Sequence, residues 1–351
     1  MSFASDNWAG ASDAVVAALA AAADGFAPAY GGDPLTHEAH ALAAAFFERE
    51  VALFFVSTGS AANSLSLAAA SRPGGVVICH VDAHIARDEA GAPGLFAPHQ
   101  TLDPIDGAAG RLTADAVAAR LAEYPEGVVH HGRPTAISLT NVNEFGQCYG
   151  GGEVAAIADV AHARGAMVHL DGARFFNALA HTGAAPADLT WRAGVDIMSL
   201  GFTKVGAFCA EAVVLFDPAM AEDFAYRHKQ AAMLFSKNRF AAAQAVALLK
   251  DGHALALAAH ANAMATRLAA LLEASPEAAL LFAPEANEMF AYLAPALSAR
   301  LAAAGIVAHA IGVRSRLLPP APGPDWTLQR FVTSFRTDAA QLDALAAALS
   351  E

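Results

Sequence analysis

The chain reads as an α/β protein: a large domain on a mostly parallel sheet, then a smaller α+β C-terminal domain. Three observations carry this. Short apolar runs alternate with helical stretches of about 10–15 residues, the pattern of strands joined by crossover helices. Polar residues fall just beyond the ends of those runs, where parallel sheets hold ligands. From about residue 276 the pattern changes to shorter, mixed elements. The expected division is 1–252 for the large domain, N-terminal segment included, and 253–351 for the small one.

Ser12-Asp13 caps a first helix that runs to about Ala23. After the loop Tyr30-Gly31-Gly32-Asp33, a helix from Pro34 to about Arg49 begins with proline in its first turn. The strand Val51–Val56 passes through Ser57-Thr58-Gly59-Ser60-Ala61-Ala62-Asn63 into a helix. That order places backbone N–H groups and hydroxyls around an anion. Strands at Gly75–His80 and Thr135–Thr140 follow, with helices at Thr113–Tyr124 and Glu153–Arg164. Apolar runs at Ala166–Leu170 and Val195–Leu200 end in Asp171-Gly172-Ala173-Arg174 and Phe202-Thr203-Lys204-Val205-Gly206. Glu211–Phe216 is a strand, and Pro218 to about Leu234 a helix. Phe235–Phe240 interrupts, and helices resume to Leu249 and over Ala254–Leu272. In the last part strands are expected at Asn287–Leu293, Ile306–Ile311 and Leu328–Phe335, with helices at Pro295–Ala304 and Asp338–Ser350.

Composition narrows the function. The 351 residues are 56% hydrophobic and 16% charged, enough to bury a large core. A net charge of -13 with no basic cluster argues against nucleic acid and fits a cytoplasmic enzyme. Cys79, Cys148 and Cys209 have neither metal-type nor disulfide-type spacing, so no metal is expected. The polar N-terminus has no basic stretch of a leader, and Ala14–Ala23 is too short to span a membrane.

A lysine in a Gly-flanked turn after one strand, with an aspartate ending an earlier strand, points to pyridoxal phosphate. Lys204 would hold the cofactor as a Schiff base, its pKa lowered by burial. Asp171 would pair with the pyridinium nitrogen, making the ring an electron sink. Gly59 and Ser60, with Asn63, are the candidate phosphate cup. His84 also lies just past a strand end.

Asp6-Asn7-Trp8-Ala9-Gly10, Ser57–Asn63, Ala83-His84, His169-Leu170-Asp171-Gly172-Ala173-Arg174-Phe175 and Ser199–Gly206 together resemble the threonine aldolase family. The low-specificity L-threonine aldolases are the nearest in pattern. The resemblance runs from residue 4 to about 335, and His-Leu-Asp-Gly-Ala-Arg is its specific motif. It implies a pyridoxal-phosphate-dependent transferase-like fold (fold type I). It also implies retro-aldol cleavage of β-hydroxy-α-amino acids to glycine and an aldehyde. His84 would stack on the cofactor ring near the substrate β-hydroxyl. Arg174, Ser5 and Arg330 would hold the substrate carboxylate. Arg239, or alternatively Lys237, would complete a neighbouring subunit's phosphate cup. The resemblance further implies a homo-oligomer, a dimer of dimers, with active sites at subunit interfaces.

The chain departs from the family pattern at four places. Phe202 and Val205 replace a Gly and an Asn beside the lysine, a change expected to reshape the pocket. Asn143 stands about where many relatives have a second histidine. Asp88 stands where a tyrosine follows the stacking histidine. These leave the catalytic base open. Two other readings stay beside the aldolase: β-elimination or transamination on the same scaffold, and a non-catalytic pyridoxal-phosphate-binding homologue.

Overall fold

The computed structural model describes residues 2–350. Its main sheet has seven strands: β1 (Ala52–Val56), β2 (Gly75–His80), β3 (Gln100–Ile105), β4 (Arg133–Thr140), β5 (Met167–Gly172), β6 (Ile197–Gly201) and β7 (Glu211–Leu215). Their order is β1-β7-β6-β5-β4-β2-β3. Only β7 runs against its neighbours; the other pairings in this sheet are parallel. The carboxyl ends of the parallel strands therefore share one edge. Because β7 is reversed, its first residue joins that edge, where Glu211 pairs with Val56 and with Gly201.

Helices cover both faces. They are α1 (Asp13–Ala22), α2 (Pro34–Phe46), α3 (Gly59–Ala69), α4 (His84–Arg87), α5 (Ala92–Phe96), α6 (Ala114–Ala122), α7 (Gly151–Ala163), α8 (Phe175–Thr182), α9 (Ala221–Gln230) and α10 (Arg239–Leu249). Alternate strand residues serve opposite layers. Val213 and Leu215 pack with Leu65 of α3 and Phe224 of α9, whereas Ala212 and Val214 join the core under α2, α7, α8 and α10. Burial on both faces explains why the central strands read as unbroken apolar runs.

The second sheet is antiparallel, in the order β10 (His309–Ala310), β11 (Thr327–Val332), β9 (Glu288–Leu293), β8 (Ala278–Leu280). One face packs on α11 (His253–Glu273), α12 (Pro295–Ala303) and α13 (Ala339–Ser350) through Leu268, Leu272, Leu297, Leu301, Phe331 and Leu345. Phe3 is buried in this core, and its backbone bonds Val307 and Val332. On the other face Phe145, from the loop after β4, meets Phe290 and Leu328. Gly146 makes that approach possible: a Cβ there would lie 2.1 Å from the Glu288 carbonyl oxygen.

Several elements differ from expectation. The strand expected over Ile306–Ile311 is ladder-paired only at His309–Ala310, apart from a bridge from Val307 to Ser2. The last strand stops at Val332, where the Thr333 hydroxyl turns to the Ala261 and Asn287 carbonyls. The helix after Pro218 ends at Gln230, and Ala232 adopts a left-handed backbone just beyond it. Strand β3 is not apparent in the sequence because Pro104 and Asp103 interrupt it, and the sheet places it at an edge, where proline is tolerated. By length and composition Arg239–Glu273 is apolar enough to cross a membrane. It is broken at Asp251 and Gly252, both left-handed, into α10 packed on α2 and α11 packed on α8.

Candidate active site

One cavity of about 340 Å³ opens on the edge where the strand ends converge. Gly59 and Ser60 line it from the first turn of α3, His84 from α4, Asp171 from the end of β5 and Lys204 from the turn after β6. Thr140, Asn143 and Glu144 line it from the end of β4, and Arg174 from the start of α8. The sequence separates these residues widely; the parallel sheet brings them together.

Lys204 sits in a single helical turn, Thr203–Val205, fixed from below. The buried Glu211 carboxylate accepts from Phe202 N at 2.6 Å and Thr203 N at 3.5 Å. Desolvation pushes Glu211 up, and the Thr203 and Phe202 hydrogen bonds oppose that. Gly206 ends the turn at φ 119°, a conformation that suits glycine. Phe202 does not narrow the pocket: it is fully buried in the core, 5.9 Å from the Phe176 ring, and Val205 is buried too. The expected reshaping of the pocket by these two residues is therefore corrected, because their side chains leave the cavity for the core.

Asp171 is held by two hydrogen bonds. Its Oδ1 accepts from Ala173 N at 3.0 Å and its Oδ2 from Asn63 Nδ2 at 2.8 Å. The same Asn63 amide bonds Glu89 Oε1 at 2.8 Å, and that oxygen lies 2.8 Å from His84 Nδ1. The Glu89 hydrogen bond raises the His84 pKa against desolvation, with Asp171 adding to the rise. Glu89 stands in the sequence beside Asp88, and nothing there singles it out. Asp88 points elsewhere: it is exposed and is not part of the cavity wall.

Glu144 accepts at Oε1 from His84 N (2.8 Å) and from Thr140 Oγ1 (3.0 Å). Its Oε2 is buried without a partner. Burial pushes its pKa up to about 7, opposed by the His84 N–H and reinforced by Asp171. Asn143 has no such freedom. Its Oδ1 accepts from Phe145 N and Gln147 N, and its Nδ2 donates to Ala109 O.

On the far side Arg174 is ringed by carboxylates. Its Nε and Nη2 bond Asp6 at 2.8 and 3.2 Å, and its Nη1 lies 2.6 Å from Glu288 Oε2. Burial opposes the charge on Arg174, but Asp6 and Glu288 raise its pKa above the usual range. Burial likewise works to raise Asp6, yet Arg174 and then Lys204 pull it below the carboxylate range. Arg330 lies behind this cluster, 3.4 Å from Glu288 Oε1 and bonded to Ala4 O. Ser5 caps the Asp6–Trp8 turn through Asn7 N, and Asn7 reaches the cavity. Ser5 and Arg330 are thus near the cluster but not among the lining residues. Arg239 also lies off this cavity, at 3.4 Å from Gly25 O, with its Nε unpartnered.

These residues fit pyridoxal phosphate. A Cβ at Gly59 would meet no protein atom within 4 Å, so this glycine borders open space. Beside it is the first turn of α3, where backbone N–H groups suit a phosphate. The volume suits a small cofactor with an amino acid. Such a sheet edge, with its lysine, aspartate and histidine, defines the class: a fold type I pyridoxal-phosphate enzyme.

The comparisons with known proteins narrow the class. A model of the "Beta-eliminating lyase" family matches residues 2–296. Low-specificity L-threonine aldolases from Pseudomonas sp. (strain NCIMB 10558) and Pseudomonas aeruginosa are 40% and 41% identical over 298 residues. Each alignment covers 85% of this chain and 86% of the relative. A threonine aldolase structure from Leishmania major superposes with a TM-score of 0.90 at 25% identity, covering 99% of this chain and 98% of that one. A Sphingomonas wittichii serine palmitoyltransferase (TM-score 0.71, 16% identity, 99% and 86% covered) shares the fold alone. The chain belongs to the beta-eliminating lyase family.

Proposed function

We propose that this protein is a pyridoxal-phosphate-dependent aldolase that cleaves β-hydroxy-α-amino acids of the threonine type into glycine and an aldehyde. One observation carries the reading: Lys204, Asp171, His84 and the Gly59–Ser60 turn share one cavity at the strand ends. Chains at 40% and 41% identity are low-specificity L-threonine aldolases, which sets the substrate class.

Lys204 would hold the cofactor's aldehyde carbon, Asp171 its ring nitrogen, and Gly59 and Ser60 its phosphate. Bound there, pyridoxal phosphate supplies an electron sink for the pair left on the substrate α-carbon. The chain's own residues supply orientation and proton movement. His84, which lines the cavity with Nδ1 anchored on Glu89, would stack on the cofactor ring. Arg174 faces the cavity as a planar cation fixed by Asp6 and Glu288, suited to a carboxylate. Ser5 and Arg330 would contribute to that carboxylate site through small shifts, since both border the same cluster. Holding the carboxylate aligns the Cα–Cβ bond for cleavage.

Arg239, or Lys237 beside it, would serve the phosphate cup of a neighbouring copy, which makes the protein a homo-oligomer; a dimer of dimers is the arrangement the family resemblance implies. Support comes from the unpartnered Arg239 Nε at the start of α10, away from its own cavity. The domain division at 252/253 falls at the break before α11, and a cytoplasmic location suits the composition. The test is product analysis with L-threonine, L-allo-threonine and phenylserine. Glycine and the matching aldehyde are expected in equal amounts; a keto acid with ammonia would instead establish elimination.

A further inference from the structure

We propose that Glu144 is the base that takes the proton from the substrate's β-hydroxyl. The proposal rests on the aldolase reading and adds the one group that reading leaves unassigned.

The geometry singles out this carboxyl. Glu144 lines the cavity beside His84, Asp171 and Lys204. Two donors fix its Oε1, and its Oε2 is buried and unpartnered. No arginine or lysine forms an ion pair with it among the described residues. The titratable groups that face it are His84 from α4, Asp171 from β5, Cys79 from β2 and Tyr149 after β4. Burial and the Asp171 charge leave it changing charge at about pH 7. A group poised there both accepts and returns a proton within one turnover.

The other candidates are committed. Asn143 spends its amide on the turn that follows β4. His84 gives Nδ1 to Glu89, a bond that raises its pKa and ties that ring nitrogen to a carboxylate. Glu211 holds the lysine turn. Asp6 is saturated by Arg174 and Asn287.

The electron count closes. The Glu144 carboxylate takes the β-hydroxyl proton. The O–H pair becomes the second C–O bond of the aldehyde as Cα–Cβ breaks. The Cα–Cβ pair stays on Cα, for which pyridoxal phosphate, when bound, would be the electron sink. The proton gained by Glu144 balances the one Cα takes up as glycine forms.

The test uses the holoenzyme, with Glu144→Gln and Glu144→Asp as variants. Cofactor absorbance and the affinity for glycine check loading and fold. For Glu144→Gln the expected result is unchanged loading and a kcat for L-threonine lowered about 100-fold or more. The rise of rate with pH through neutrality should also disappear. Glu144→Asp should keep that rise at reduced kcat. Infrared difference spectra of the wild type, taken with and without cofactor, should show a protonated carboxyl band that titrates near neutrality. That band should vanish in Glu144→Gln and shift in Glu144→Asp. The proposal is overturned if Glu144→Gln stays within about threefold of wild-type kcat across the pH range. It is equally overturned if no wild-type carboxyl band titrates near neutrality, an outcome that does not depend on any variant folding. A wild type that releases no glycine from any of these substrates would defeat the aldolase reading itself. A wild type that cleaves while Glu144→Gln matches it defeats Glu144 alone.

Discussion

Two glutamates, Glu144 in the cavity wall and Glu288 behind Arg174, live in opposite electrostatic surroundings. Glu288, at the start of β9, is buried against Arg174 and Arg330. Glu144, after β4, is met by one backbone N–H, one hydroxyl and the like charge of Asp171, with no cation. The first arrangement makes a carboxylate a structural tie. It joins the Asp6 turn, the large sheet and the second sheet through one guanidinium. The second leaves a carboxyl free to exchange a proton. The difference teaches that burial alone does not set a carboxylate's role; the charge beside it does.

That contrast is open to direct attack. Glu288→Ala removes one partner of a buried pair and leaves Arg174 undercompensated, so urea unfolding at neutral pH should show a loss of about 3–5 kcal/mol. A loss below about 1 kcal/mol would mean that the tie is not structural.

Glu144→Gln should do the reverse, in a pH-dependent way. The folded-state pKa is raised from 4.5 to about 7. Below pH 4.5 both folded and unfolded forms carry the proton, and nothing is lost. As pH rises from there to about 7 the unfolded chain ionises first, so the wild type loses stability. The loss is full above 7. Relative to wild type, Glu144→Gln should therefore gain up to about 3 kcal/mol between acid and weakly alkaline pH. Urea midpoints on either side of that window measure it; a gap independent of pH would contradict the assignment.

Arg330→Ala removes a partly exposed arginine at the margin of the cluster. A stability change of about 1 kcal/mol is expected, with a rise in KM and little change in kcat if it contributes to carboxylate binding. Asp88→Ala should matter least. It is exposed and off the cavity wall, so stability should move by less than about 0.5 kcal/mol. Activity should stay close to wild type. A large activity loss there would show that the cavity wall differs once substrate is bound.

Much of this was legible in the sequence. The strand-end rule located Lys204, Asp171, His84 and the Gly59–Ser60 turn, because strand ends of a parallel sheet converge whatever the loops do. What was not legible turns on side-chain direction and partners. Phe202 and Val205 look like pocket residues because they adjoin Lys204 in sequence; the one-turn helix sends both to the core. The roles of Glu89, Glu144 and Glu288 were not legible, since nothing in the chain tells which carboxylates the fold buries or what they meet. Strand β3 hides behind Pro104, and two strands of the second sheet, β8 and β10, are too short for a clear period.

The central claim is that Lys204 carries the cofactor in this cavity. Borohydride reduction of the holoenzyme, followed by peptide mapping by mass spectrometry, tests it most directly. The account predicts a stable pyridoxyl-phosphate adduct on the peptide that contains Lys204, absent from Lys204→Ala. An adduct on another lysine, or a Lys204→Ala protein that still binds cofactor covalently and turns over threonine at the wild-type rate, would contradict it.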